Sequence, residues 1–133
     1  MSKSRVRGRN ESGQALVEFA LLLPALLFIV FAIAQFGGLF NHYVTITDAT
    51  RAGARMAAVS RLSADPVTAA VQAVRDSASD LDQAQLQVSV TPPPPWTIGE
   101  QVTVTATYPY SVDLVGIVVR SGTLSSSTKE RVE

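Results

Sequence analysis

The sequence predicts an α+β chain: a long N-terminal transmembrane helix continuing into a small domain with a second helix and about three antiparallel strands. Three observations lead there. From Phe19 to Phe40 the chain runs 22 residues without a formal charge. Helical spacing of apolar residues then persists to about Arg61 and resumes after Asp65-Pro66. From Leu86 onward the spacing changes to alternation, the period of a strand.

The apolar run is long enough to cross a membrane. At ~1.5 Å per residue it covers about 33 Å as a helix, against a hydrocarbon core of about 30 Å. Its 14 Leu, Ile, Val and Phe residues contribute about −4 to −8 kcal/mol towards insertion. That outweighs Gln35 and the irregularity at Pro24. A chain of 133 residues has too little other core to hide such a segment inside protein.

Charge divides the chain in the same place. The total is 11 Lys+Arg against 11 Asp+Glu. Yet Lys3, Arg5, Arg7 and Arg9 face only Glu11 in residues 1–13, a net +3, which leaves −3 for the remainder. Cations beside a span predict a cytoplasmic N-terminus and an exported C-terminal part. They fit topology better than a nucleic-acid arm. The expected organisation is a basic cytoplasmic leader at 1–13, a transmembrane helix at 14–40 and an exported domain at 41–133. Asn10-Glu11-Ser12 has the form of a glycosylation acceptor, but it would stay on the cytoplasmic side.

Glu18 stands one residue before the apolar run, with Gly13 five residues upstream. A carboxylate at that edge is costly unless paired or level with the headgroups. It also suits the positive end of a helix dipole, where a solvated Glu needs no further role. Both readings stay open on the physics.

The stretch SGQALVEFALLLPALL resembles the N-terminal processing region of type IV-like prepilins, most closely the TadE-like minor pilins or pseudopilins of the tight-adherence (Tad/Flp) pilus system. The resemblance implies a cut by a prepilin peptidase between Gly13 and Gln14. It makes Glu18 the family's Glu at the fifth mature position and Phe19 the aromatic residue after it. Gly8, the other candidate glycine, would put Glu18 at position ten and fits poorly. Thr47–Ser60 and Val102–Val112 also resemble the body of TadE-like domains. The implied fold is pilin-like, and the implied role lies in pilus assembly and adhesion. The implied partners are the prepilin peptidase, other pilins or pseudopilins, inner-membrane pilus assembly proteins and the membrane, with no nucleic acid. The implied location is the bacterial cytoplasmic membrane in a single pass, with the C-terminal domain periplasmic or extracellular and a place in the pilus open to it.

Two other readings compete. Ala32-Ile33-Ala34 before Gln35 has the form of a signal-peptidase site, which would release a secreted domain. The apolar character continues past it to Phe40, and the apolar region ahead of it is long for a signal peptide. The chain could also be a single-pass exported accessory or binding protein that never polymerises.

Beyond the span, Ile46, Ala49, Gly53, Met56 and Ser60, joined by Ala52 and Val59, predict one packed helix face, and the small residues Ala49, Ala52, Gly53, Ala57 and Ala58 permit close approach of a partner or, in preference, of the domain's own sheet. Asp48 and Arg51 are spaced for an ion pair. Gly37-Gly38 is the weak point of this helix, expected from Gln14 to about Arg61, because each Gly costs roughly 1 kcal/mol there. Asp65 as N-cap and Pro66 as first residue open the second helix. Its apolar face is Val67, Ala70, Val71, Val74 and Ala78, and its expected end is near Asp80. Leu86, Val88 and Val90 mark the first strand, and Val102, Val104, Ala106 and Tyr108 the second. Pro92 to Pro95 reads as a stiff polyproline connector ending at Trp96, before a turn at Gly99. Asp113 to Arg120 is expected to be a loop or helical turn covering the sheet, and Leu124 to Val132 a third strand.

Little points to catalysis. The chain has no Cys and a single His, His42, placed beside Tyr43 at the expected membrane surface. No nucleophile–base pair, phosphate loop or metal-ligand cluster stands out. Asp80 and Asp82 are two carboxylates without further ligands, the pattern of a solvated turn. The expectation is a non-enzymatic protein with no cofactor.

Overall fold

The computed structural model describes residues 8–114 and 116–133. The leader cations Lys3, Arg5 and Arg7, and Val115, lie outside the described residues. The chain has a long N-terminal apolar helix, a second helix and three antiparallel strands, and is therefore α+β. Helix α1 spans Gly8–Val59, α2 spans Pro66–Ser77, and the strands are β1 Gln87–Thr91, β2 Gln101–Leu114 and β3 Ile117–Arg131. Two units divide between Phe36 and Gly37.

Helix α1 starts earlier than expected, at Gly8 rather than Gln14, so Gly13 and Gln14 lie inside it. Asn10, Ser12 and the two glycines are weak helix formers between Gly8 and Gln14, but costs of at most roughly 1 kcal/mol per residue do not stop a helix already propagating. Helical structure also runs through Pro24 and through Gly37-Gly38. In the unit ending at Phe36, apolar side chains are exposed on every side of the helix, Leu21 at 74 %, Leu22 at 66 % and Ile33 at 67 % among them. A helix apolar all round with no protein against it has its stable place in an apolar medium, where its backbone is self-satisfied. This one long apolar helix points to membrane anchoring.

In the second unit the buried face of α1 is the expected one only in part. Ile46, Ala49 and Gly53 are buried with the small residues Ala57 and Ala58, and Thr50 and Ala54 join them. Met56 and Val59 point to solvent, at 40 % and 58 % exposure. The reason is close approach. A Cβ at Gly53 would overlap the Val74 Cγ2 methyl and lie 3.1 Å from the Ala70 carbonyl oxygen and 3.3 Å from Val104 Cγ1. A helix brought that near to α2 and β2 can present only small side chains. Thr50, fully buried, shares hydroxyl contacts with Thr128 Oγ1 at 3.0 Å and Ser126 Oγ at 3.3 Å, and donates to Thr47 O at 2.9 Å. The expected Arg51–Asp48 pair forms at 3.0 Å, on the exposed side.

Helix α2 is capped as its sequence demands. Asp65 Oδ1 accepts from Thr68 N at 3.0 Å, Oδ2 accepts from Thr68 Oγ1 at 2.6 Å, and Pro66 occupies the first turn. These bonds, the hydroxyl's first, hold the exposed Asp65 carboxyl below its ordinary value of 3.8. The cap is therefore fully formed at neutral pH, and its contribution fades as pH falls below the ordinary value and through the lowered one. Asp65→Asn is expected to keep the cap and remove this part of the acid sensitivity, whereas Asp65→Ala lowers stability at neutral pH; melting followed by Trp96 fluorescence between pH 3 and 7 compares them. The helix ends at Ser77, short of Asp80. Beyond that end Gln83 reaches back: its Nε2 donates to Ala78 O at 2.7 Å and Leu81 O at 3.1 Å, while Arg75 Nη1 donates to Gln83 O at 2.9 Å.

The strands form a meander in the order β1-β2-β3. Val102, Val104, Ala106 and Tyr108 point into the core with Leu86, Trp96 and Val132, and Thr103, Thr105 and Thr107 alternate with them. The Pro92–Pro95 connector is not a continuous polyproline helix, since Thr91–Pro92 and Pro94–Pro95 are cis. Trp96 folds back over it, and its indole Nε1 donates to Pro92 O at 2.8 Å. The largest departure is at Asp113–Arg120. That segment is not a cover over the sheet but the end of the β2–β3 hairpin, with β3 starting at Ile117 rather than Leu124. Leu114 and Ile117 are register partners across a two-residue connection, and Gly116 takes φ 81°, which glycine adopts without Cβ strain.

Candidate processing and assembly site

The residues expected to carry processing and assembly lie near the start of α1. Gly13, Gln14, Glu18 and Phe19 are all helical and exposed. Four residues apart, Gln14 and Glu18 share one helix face, and Gln14 Nε2 donates to Glu18 Oε1 at 3.1 Å. Glu18 thus has a local neutral partner and no cation beside it among the described residues. Its other acceptor positions and its negative charge face outwards. Phe19 is 58 % exposed and begins the band of outward-facing apolar side chains. Nothing lies within 4 Å of where a Cβ on Gly13 would stand, so this unit would accommodate a larger side chain there.

The second unit places other residues the sequence singled out. His42 packs edge-on to Tyr108, with ring centroids 5.5 Å apart, so it closes the β2 end of the core. Asp82 accepts from Ala84 N at 3.0 Å and Gln85 Nε2 at 2.8 Å, and Asp80 Oδ2 accepts from Thr45 Oγ1 at 3.4 Å. Both carboxylates fasten a turn. Among the described residues no group of three or more His, Asp and Glu is placed to hold a metal ion.

Two surfaces escaped the sequence reading. One is a groove between α1 and α2, left open because Met56 and Val59 turn outwards. The other is the hairpin end, where Ile117, Val118 and Val119 are exposed. The run of apolar residues in DLVGIVVR was visible, but its exposure was not.

Residues 13–55 match the model of the family described as TadE-like protein, consistent with a TadE-like protein of the Tad pilus system. The match covers the stretch SGQALVEFALLLPALL from its glycine onward and reaches into Thr47–Ser60 as far as Arg55; it does not extend to Val102–Val112. No curated protein and no solved structure matches the chain.

Proposed function

We propose, from the TadE-like match over residues 13–55, that this chain is a membrane-anchored minor pilin or pseudopilin that takes part in Tad/Flp pilus assembly and adhesion. A prepilin peptidase removes residues 1–13, and the mature chain begins at Gln14. The N-terminus faces the cytoplasm, the helix spans the membrane once, and the unit from Gly37 is exported. Its role is structural rather than enzymatic, and its partners are other pilins and the inner-membrane assembly proteins.

The observation that carries this reading is the coincidence of three features at one place. The family match begins at Gly13, the exposed apolar helix follows directly, and Glu18 stands at its edge with no ion pair among the described residues. The match also spans Ala34 without interruption, which favours an anchored chain over one released there by signal peptidase. Processing requires the helix to open around the scissile bond. Glycine at position 13 eases this, since it holds helix about 1 kcal/mol less well than alanine and sets no Cβ against the peptidase.

Gly13→Leu tests the proposal cleanly, because the open space around Gly13 leaves the chain itself undisturbed. In cells containing the peptidase, the variant is expected to accumulate as a precursor heavier by the leader, while the parent chain starts at Gln14 by intact mass. A Gly13→Leu chain cut as efficiently as the parent would sink the assignment, and a mature chain starting at Gln35 would establish secretion instead.

A further inference from the structure

We propose that Gln14 is a modification site held in check: its side chain closes on its own α-amine to form a neutral lactam, and Glu18 delays that closure. This deepens the processing reading and rests on it, because only the proposed cut after Gly13 would make Gln14 the first residue of the mature chain.

An N-terminal glutamine carries both reactants of this step. The unprotonated α-nitrogen attacks the side-chain Cδ, the new N–Cδ bond closes a five-membered ring, and the Cδ–Nε2 bond breaks. The proton given up by the attacking nitrogen passes to Nε2, which leaves as ammonia. No oxidant or reductant takes part. The product is an N-terminal lactam without charge.

The surroundings leave the reaction room. Residues 13–18 are all exposed, so no packed neighbour confines the Gln14 side chain. The amine of the cut chain would stand at the N-terminus of a helix, whose positive end disfavours an ammonium and so favours the nucleophilic free base. An α-amine ordinarily titrates at about 7.7–8.0, which already leaves part of it unprotonated at neutral pH.

Glu18 works against both requirements. Gln14 Nε2 donates to Glu18 Oε1 at 3.1 Å. Four residues on, Glu18 lies about 6 Å further along the helix axis, so this bond draws the amide towards the C-terminal end. Ring closure needs the opposite excursion, because the α-nitrogen lies on the N-terminal side of its own Cα. The amide cannot serve both partners at once. The carboxylate also favours the charged, non-nucleophilic form of an amine within its reach. Nothing nearby in sequence competes for that carboxylate. Glu18 makes no ion pair among the described residues, the leader cations leave with residues 1–13, and no Lys or Arg then precedes Arg51.

The consequence is a limit on how long a mature chain keeps its terminal positive charge. Closure removes that charge together with the side-chain donor, and both are then lost to any neighbouring subunit that would pair with them.

The test is the mass of the mature chain over time. Full-length parent, Glu18→Gln and Glu18→Ala chains are produced with the peptidase, purified in detergent and kept at neutral pH. Closure is read as the loss of one ammonia from the peptide that begins at Gln14. The parent is expected to be isolated with most of its Gln14 open. Glu18→Ala should close about twofold faster, the factor that one exposed i,i+4 side-chain bond is worth. Glu18→Gln keeps an acceptor for the amide but no charge, and should fall between the two. If Glu18→Ala resists cutting, Glu18→Gln against the parent carries the comparison. Equal rates in parent and variants, a slower rate in the variants, or a parent isolated already closed would overturn the proposal. Those results come from chains that begin at Gln14, so they leave the subunit reading standing. A parent chain that keeps its leader, or begins at Gln35, defeats that reading and this proposal with it.

Discussion

Gly53→Leu is expected to unfold the unit from Gly37 onward while leaving the long apolar helix in place. Helix propensity alone argues the other way, since replacing a mid-helix glycine gains about 1 kcal/mol. Tertiary packing reverses the sign. Even a single Cβ at this position overlaps Val74, which is itself fully buried, and it presses on the Ala70 carbonyl oxygen, which is backbone. Overpacking by a few methylenes costs about 1–3 kcal/mol where side chains can shift. Four carbons against a helix backbone exceed that, in a small domain whose whole stability is on the order of 5–15 kcal/mol. Gly53→Ala should be folded but measurably weaker, the overlap exceeding the propensity gain. The measurement is intrinsic fluorescence. Trp96 is the only tryptophan and is 5 % exposed, so its red shift reports unfolding of this unit alone. A Gly53→Leu chain with native Trp96 emission and an unchanged melting temperature would contradict the packing described above.

Glu18→Ala is expected to be cut at Gly13 and retained in the membrane, yet to lose its place among other pilins. The proposed cut would create an α-amino group at Gln14, on the residue whose side chain already donates to Glu18 within the helix. With that local bond made by a neutral amide, the carboxylate has no ion pair among the described residues. The amine of a neighbouring subunit in a staggered bundle would supply one. At an effective dielectric of ~20, two unit charges 4 Å apart attract by about 4 kcal/mol before desolvation. Much of this is lost in taking both ions from water. Pairing then favours correct register more than raw stability, and an unpaired Glu18 opposes assembly. Cyclisation of the new N-terminal Gln14 would remove the amine's charge, so the mass of the mature chain belongs in the same experiment. The readout is co-purification with partner pilins. Recovery of Glu18→Ala with its partners at the parent level would reduce Glu18 to an interfacial residue.

Much of the architecture is legible in the residue order because it is local. Twenty-two uncharged residues from Phe19 to Phe40 dictate a helix that needs an apolar medium, whatever else the chain does. Asp65, Pro66 and Thr68 lie within one turn of each other, so their cap forms from neighbours alone. Alternation in Val102–Tyr108 dictates which side of β2 is buried, since successive strand residues point to opposite faces. The placement of Gly13, Gln14, Glu18 and Phe19 at the edge of the apolar helix is equally a matter of order. What the tertiary structure decided are the features that depend on residues far apart in sequence. Met56 and Val59 were left out of the buried face of α1, which keeps the small Ala54, Ala57 and Ala58, because α2 and β2 approach Gly53 too closely for anything larger. Beyond Ser77, where helix α2 ends, Gln83 reaches back to the carbonyl of the capping residue Ala78. Apolar content alone made DLVGIVVR look like a cover for the core. Register with β2 carried it instead past the end of β1, where no core remains to receive it. Hydropathy records what a side chain avoids, and only the fold determines whether a neighbour is there to shelter it.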